Sequence, residues 1–296
     1  MRAFGLVVVV VVAACGSPPP PSPPPQPAKT APLPAKTDRW VIFGWGHKVG
    51  TMTIMSNPDG TFAEVYDRVD NGRGPHVDAS LELGSDGMLD QFTATGHHEL
   101  GNALSETFSR SNGRAHWKSE AEEGDAAATK PAFYNPLAEG SIDPWLIPAA
   151  LHAGGALSLY PSGTMHVDKV GDATVDGRAL ICYAVSGFAL APYYAWFDVA
   201  TGAYFGWVEP DGAMVPEGAE KLIEPLVTKQ TAIEAARAAD IAKRAEHEPP
   251  AAGLAYTHAR VLDVERGKWI ADQTVVVVGD TIRAVGPKPR FPPAPK

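Results

Sequence analysis

The spacing of the turn residues constrains this chain most. Between Arg39 and Gly96, short runs of β-forming residues are cut by "NPDG" at 57–60, "NGRGP" at 71–75 and "SDG" at 85–87. Asn, Asp and Gly reach positive-φ turn conformations at little cost, and here they recur about every 10–14 residues. That interval leaves no room for long helices. It predicts an antiparallel meander with one face buried and one wet. Within it, Phe62, Val65 and Val69 alternate imperfectly with Glu64, Asp67 and Asp70, which are expected to face water.

The rhythm breaks over 119–161. "SEAEEGDAAATKPAF" is polar and acidic, and reads as a surface loop. "DPWLIPAALHAGGALSLYP" is apolar but interrupted by Pro144, Pro148 and two glycines. It has room for one short helix, 145–152, covering an open end of the sheet. Strand texture resumes at 164–187 and at 192–208, where "DVATG" reads as a hairpin loop. Tyr193, Tyr194, Trp196, Phe197, Tyr204, Phe205 and Trp207 crowd that hairpin. They suit cross-strand core packing, or the walls of a pocket for an apolar ligand. The fold class is therefore mainly β, with a meander or open-barrel-like domain over 38–215.

A different pattern follows. Residues 217–248 are Ala-rich, with Glu234–Arg237 and Asp240–Arg244 at helical spacings and Pro225 in what would be the first turn. The apolar stripe is thin: Leu226, Val227, Ile233 and Ile241 among alanines. This reads as a helix connecting two domains.

The N-terminus carries the signature of export. Arg2 precedes an apolar run over 3–14 that includes Val7 to Val12. Twelve residues as helix span roughly 18 Å, short of a bilayer core of about 30 Å. The run is thus expected to be a signal peptide, 1–14, rather than a membrane span. "VAAC" at 12–15 resembles the bacterial lipobox, which makes Cys15 the expected lipidation site. Ten prolines fall within 18–34. Polyproline II at about 3.1 Å per residue would make 15–37 a stalk of up to ~70 Å. The resemblance implies a lipid anchor in the cell envelope. With Gly16 following the cysteine, the periplasmic side of the outer membrane is favoured.

Little else in the chain advertises chemistry. The net charge of −9 argues against nucleic acid as a partner. The two cysteines, Cys15 and Cys182, form no metal or redox pair, and Cys182 in "ALICYAV" reads as a small buried hydrophobe. Nine histidines include no His-x-His and no HExxH. The densest group, His97, His98 and Glu99, alternates faces if on a strand, so it reads as a polar turn rather than a metal site. "YPSGT" at 160–164 lacks a nucleophile-elbow context. No catalytic, cofactor-binding or metal-ligating residue is assigned within the chain.

The C-terminal stretch is more telling. It includes Ala259-Arg260-Val261-Leu262-Asp263, then 274–278, Gly279-Asp280, Ile282 and Ala284-Val285-Gly286. This pattern resembles the opening of a metal-dependent amidohydrolase. Residues 40–250 are similar to the β-rich extension found on some exported bacterial amidohydrolases. The resemblance implies that 253–288 is part of a small β-sandwich, followed in the family by a His-x-His segment and a (β/α)₈ barrel. In the barrel a divalent metal, zinc being expected, would activate water against a C–N bond. No such segment follows Gly286 in this sequence. The expectation is an N-terminal, non-catalytic portion of an amidohydrolase-like hydrolase, inactive by itself. Strands 254–286 would then meet a separately encoded barrel or self-associate. The alternative is a lipoprotein in its own right whose β domain binds an apolar ligand or docks a partner.

Overall fold

A computed structural model describes residues 36–140, 142–246, 250 and 253–287. The expected signal peptide, Cys15, nearly all of the proline-rich stalk and the tail at 289–296 lie outside the described residues. Among the described residues no helix is long and apolar enough to cross a membrane.

The protein is mainly β. The first half is a continuous antiparallel meander of eight strands. These are β1 (Lys36–Gly44), β2 (His47–Ser56), β3 (Thr61–Arg68), β4 (His76–Leu83), β5 (Leu89–His97), β6 (Ala103–Ser111), β7 (Arg114–Lys118) and β8 (Glu123–Ala127). Short β9 (Ala132–Tyr134) precedes helix α1 (Asp143–His152). A second run follows: β10 (Ala156–Tyr160), β11 (Thr164–Val175), β12 (Arg178–Ser186), β13 (Tyr193–Asp198), β14 (Tyr204–Glu209) and β15 (Gly212–Pro216). The two runs join where β1 pairs antiparallel with β15, Trp40 opposite Pro216 and Ile42 opposite Met214. One 15-stranded sheet results, with β8 and β9 at its ends.

The sheet rolls until these ends approach each other. Phe108 of β6 stacks on Tyr134 of β9 at 4.6 Å, and Trp117 of β7 stacks on Tyr160 of β10 at 5.9 Å. The Tyr160 hydroxyl reaches the Ala127 carbonyl at 3.4 Å. β9 and β10 pair parallel, and parallel neighbours require a crossover. The crossover, 135–155, carries α1 into the rolled sheet. Trp145, Leu146, Ile147, Ala149 and Ala150 are buried there in one core with Met52, Val77 and Phe92. Pro148, inside the helix, costs a backbone hydrogen bond. It is exposed, and the buried apolar residues around it hold the turn in place.

The acidic segment over 119–133 is not a loop, as its composition suggests. It contains β8 and enters β9. Edge strand β8 is secured to β7 by cross-strand ion pairs, Lys118 to Glu123 at 2.7 Å and Arg114 to Asp125. Charge is what a solvated edge strand needs.

Helix α2 (Ile223–Ala245) is more than a connector. Its first half covers the outer face of the second run, where Leu226 joins Leu180, Cys182, Trp196, Phe205, Val208 and Val215 in a second core. Gly171, at a β-bulge in β11, leaves space for Ile233: a Cβ there would lie 2.5 Å from the Ile233 Cδ1. Buried Gln230 ties the helix down. Its Oε1 accepts the Trp196 Nε1–H at 3.0 Å, and its Nε2 donates to the Val208 carbonyl at 2.8 Å. The second half of the helix is largely exposed.

A separate three-stranded antiparallel sheet is formed by β16 (Leu254–Asp263), β17 (Lys268–Val278) and β18 (Thr281–Gly286), with β17 central.

Candidate functional site

The rolled sheet holds two cavities beside α1, and Trp145 lines both. Their walls follow from strand alternation. On β3, Phe62, Glu64 and Tyr66 share a face, and that face points inward, so Glu64 is buried although the sequence suggests a wet position. On β6, Leu104, Glu106 and Phe108 are all buried.

Glu106 organises the loop that begins at Asn135. Its carboxylate accepts the Tyr134 hydroxyl at 2.5 Å and the backbone N–H groups of Leu137 and Ala138 at 2.8 and 2.7 Å. Burial, then the hydrogen bond to Glu106 and its charge, pushes the Tyr134 hydroxyl well above its ordinary range. The loop covers the first cavity, of ≈ 190 Å³, floored by Val77, Leu81 and Phe92 and walled by Trp145, Phe188 and Tyr193. Asp143, in the first turn of α1, sits at its rim and accepts the Tyr193 hydroxyl at 2.7 Å. Burial pushes the Asp143 carboxyl up to about 6, while the Tyr193 and Tyr204 hydroxyls pull it the other way.

The second cavity, of ≈ 370 Å³, opens at one end of the roll. Trp40, Phe62, Trp145, Tyr204 and Phe205 supply its apolar wall. Lys36, Arg39 and Arg178 carry positive charge to its rim, with Asp38 and Asp198. The Trp40 Nε1–H is spent on the Phe205 carbonyl at 3.0 Å, so the floor is held from behind.

The aromatic hairpin of the sequence divides among three places. Tyr193 lines the first cavity, Tyr204 lines the second, and Trp196 and Phe205 are buried in the core under α2, with Phe205 also bordering the second cavity. The histidine cluster forms the expected polar turn. The His98 Nδ1 meets Glu139 at 2.9 Å, and Glu99 pairs with Arg68. Among the described residues no group of three or more His, Cys, Asp or Glu is placed to hold a metal. Cys182 is buried in the second core, and burial pushes its thiol up to about 12, so it behaves as a small hydrophobe. Asp143, Glu106, Arg39 and Arg178 were not singled out from sequence. A signal existed for Glu106: it stands at an inward position between Leu104 and Phe108. Nothing local marks the other three.

No family model matches the chain, and no curated protein matches it. Among solved structures it is similar to a β-barrel-like protein of a domain of unknown function, DUF1849, from Brucella abortus. Identity is 12%, the alignment covers 63% of this chain and 96% of that one, and the TM-score is 0.36.

Proposed function

We propose that the chain is the non-catalytic N-terminal portion of an amidohydrolase-like hydrolase, anchored in the cell envelope through a lipid on Cys15. The observation that carries this is the sheet β16–β18. The residues of the resemblance fall on it in order: 259–263 on β16, 274–278 on β17, Gly279 and Asp280 in the turn, and 284–286 on β18. Across the strands Tyr256 lies opposite Val275, and Val275 opposite Val285, so the three share a face. Tyr256 and Val285 are 57% and 49% exposed there. An apolar face of this kind suits one half of a composite sandwich. The divalent metal and the water it activates would belong to the barrel, and no residue described here is assigned to them.

The test is an immunoblot of source cells with antibody to residues 40–210, with metal-dependent hydrolase activity measured on the captured material. A band about 40 kDa heavier than the 31.3 kDa of this chain, the increment of a barrel with its remaining sandwich, is the expected result. A 31.3 kDa band that captures a chelator-sensitive C–N hydrolase would support the version with a separate barrel. A 31.3 kDa band without such activity would remove the proposal.

A second reading, that the β domain binds an apolar ligand, is favoured by the aromatic-walled cavities on either side of Trp145.

A further inference from the structure

We propose that the second cavity binds an amphiphilic anion, a carboxylate carrying a medium-length acyl chain, with the head group at Arg178 and Arg39. This rests on the ligand-binding reading and names the ligand class for it.

The volume, ≈ 370 Å³, lies within the range of small-molecule sites. Its wall is aromatic and fixed. Trp40 is hydrogen-bonded to the Phe205 carbonyl, Trp145 packs edge-on to Phe62 at 5.4 Å, and Tyr204 packs against Trp40 at 6.2 Å. An apolar tail entering here displaces water from surfaces already held in position, which reduces the entropy cost of binding.

The rim is not neutral. Three cations, Lys36, Arg39 and Arg178, face two carboxylates, Asp38 and Asp198. Lys36 is taken by Asp38 at 2.8 Å. Asp198 is largely occupied by its own turn: its Oδ1 accepts the N–H groups of Ala200 and Thr201, both at 3.0 Å, and the Thr201 hydroxyl. Among the described residues its Oδ2 meets only the Arg178 Nε, at 3.3 Å. The same guanidinium lies 5.4 Å over the Phe205 ring. Arg178 is thus held by a carboxylate on one side and a ring beneath, which leaves its terminal N–H fork available. The Arg39 carbonyl accepts the Glu217 N–H at 2.9 Å, and its guanidinium has no hydrogen-bond or ion-pair partner among the described residues. A planar, preoriented arginine fork with a second arginine lining the same cavity is suited to a carboxylate. A cationic or neutral head group would leave both unused.

Calorimetric titration of the full chain tests this at submicellar concentrations of decanoate, decanol and decyltrimethylammonium. Decanoate is expected to bind at least about tenfold tighter than decanol, and decyltrimethylammonium weakest. Arg178→Gln is expected to weaken decanoate roughly tenfold and leave decanol unchanged. Arg39→Gln, at an exposed and unpartnered side chain, provides the same comparison if loss of Arg178 disturbs the Asp198 turn. Equal affinity for decanoate and decanol would overturn the anionic assignment while leaving the apolar-ligand reading intact. No binding by any of the three would overturn both. Tightest binding by the cation would overturn the charge argument.

Discussion

The Glu106 carboxylate and the Tyr134 hydroxyl meet at 2.5 Å where strand β9 enters the crossover, and the same carboxylate caps two backbone N–H groups of the loop beyond. A buried charge is tolerated when donors surround it, and removal of either side leaves unsatisfied groups. Glu106→Gln is expected to destabilise the protein by about 2–3 kcal/mol, because one backbone N–H then meets an amide that cannot accept for it. Tyr134→Phe should cost about 1–2 kcal/mol. Urea unfolding checks both, and unchanged midpoints would show that Glu106 does not hold the loop.

Asp143 should make stability depend on pH in a definite sense. Its carboxyl rises from 3.8 to about 6 in the folded protein, so the folded state holds the proton more tightly than the unfolded chain. Between roughly pH 4 and 6 stability should therefore fall as pH rises, and this contribution is level above about pH 6. Asp143→Asn removes the slope. Tyr193→Phe deletes a donor to the charged form and should raise the carboxyl further. Carboxyl-carbon NMR titration reads the first shift directly. A midpoint near 4 in the wild type, or a downward move in Tyr193→Phe, would contradict the burial argument.

Gln230 joins α2 to the β domain through Trp196 and the Val208 carbonyl. Gln230→Leu keeps volume but strands the indole N–H and that carbonyl, for an expected loss of about 2–3 kcal/mol. Hydrogen exchange should quicken in the first half of the helix, and it should change little in the exposed second half. Uniform change along 223–245 would mean that the helix is not anchored at this point.

The meander was legible because turn chemistry is local. Residues such as Asn71 and Gly72 take the positive φ that their identity suggests. The short helix was legible too, from an apolar run bounded by polar residues. What stayed hidden depends on partners distant in sequence. Glu64 and Asp67 look alike on paper, yet only Glu64 falls on the face that the rolled sheet encloses. The acidic strand β8 reads as loop because its stability comes from Arg114 and Lys118 on the neighbouring strand. Arg178 gains its significance from Asp198 and Phe205, both brought to it by the β12–β13–β14 meander. Of the cavity residues, Tyr193, Tyr204 and Phe205 could be nominated from aromatic content alone. The charged rim could not, since Lys36 and Arg39 open the first strand while Arg178 opens the twelfth.

The apolar face of β16–β18 should be a contact surface. Tyr256, Val275 and Val285 stand abreast, and Val276, with its side chain on the opposite face, is fully buried while Tyr256 and Val285 are not. Full burial of one such side chain contributes about 1.5–3 kcal/mol, so covering the two would favour association markedly. The strand edges add unsatisfied backbone groups to the attraction. The full chain is expected to show concentration-dependent association in sedimentation velocity. Tyr256→Lys with Val285→Lys should reduce it, since charge on that face opposes both burial and edge pairing. Comparing the two proteins isolates the sheet from any contribution of residues 1–35, which they share. Folding of the double variant is checked by the near-ultraviolet signal of the β domain, whose tryptophans Trp40, Trp117 and Trp196 lie in the rolled sheet and Trp145 in α1. Identical association of a folded double variant and the wild type would mean that this face does not seek a partner, and the composite-sandwich reading would lose its physical support.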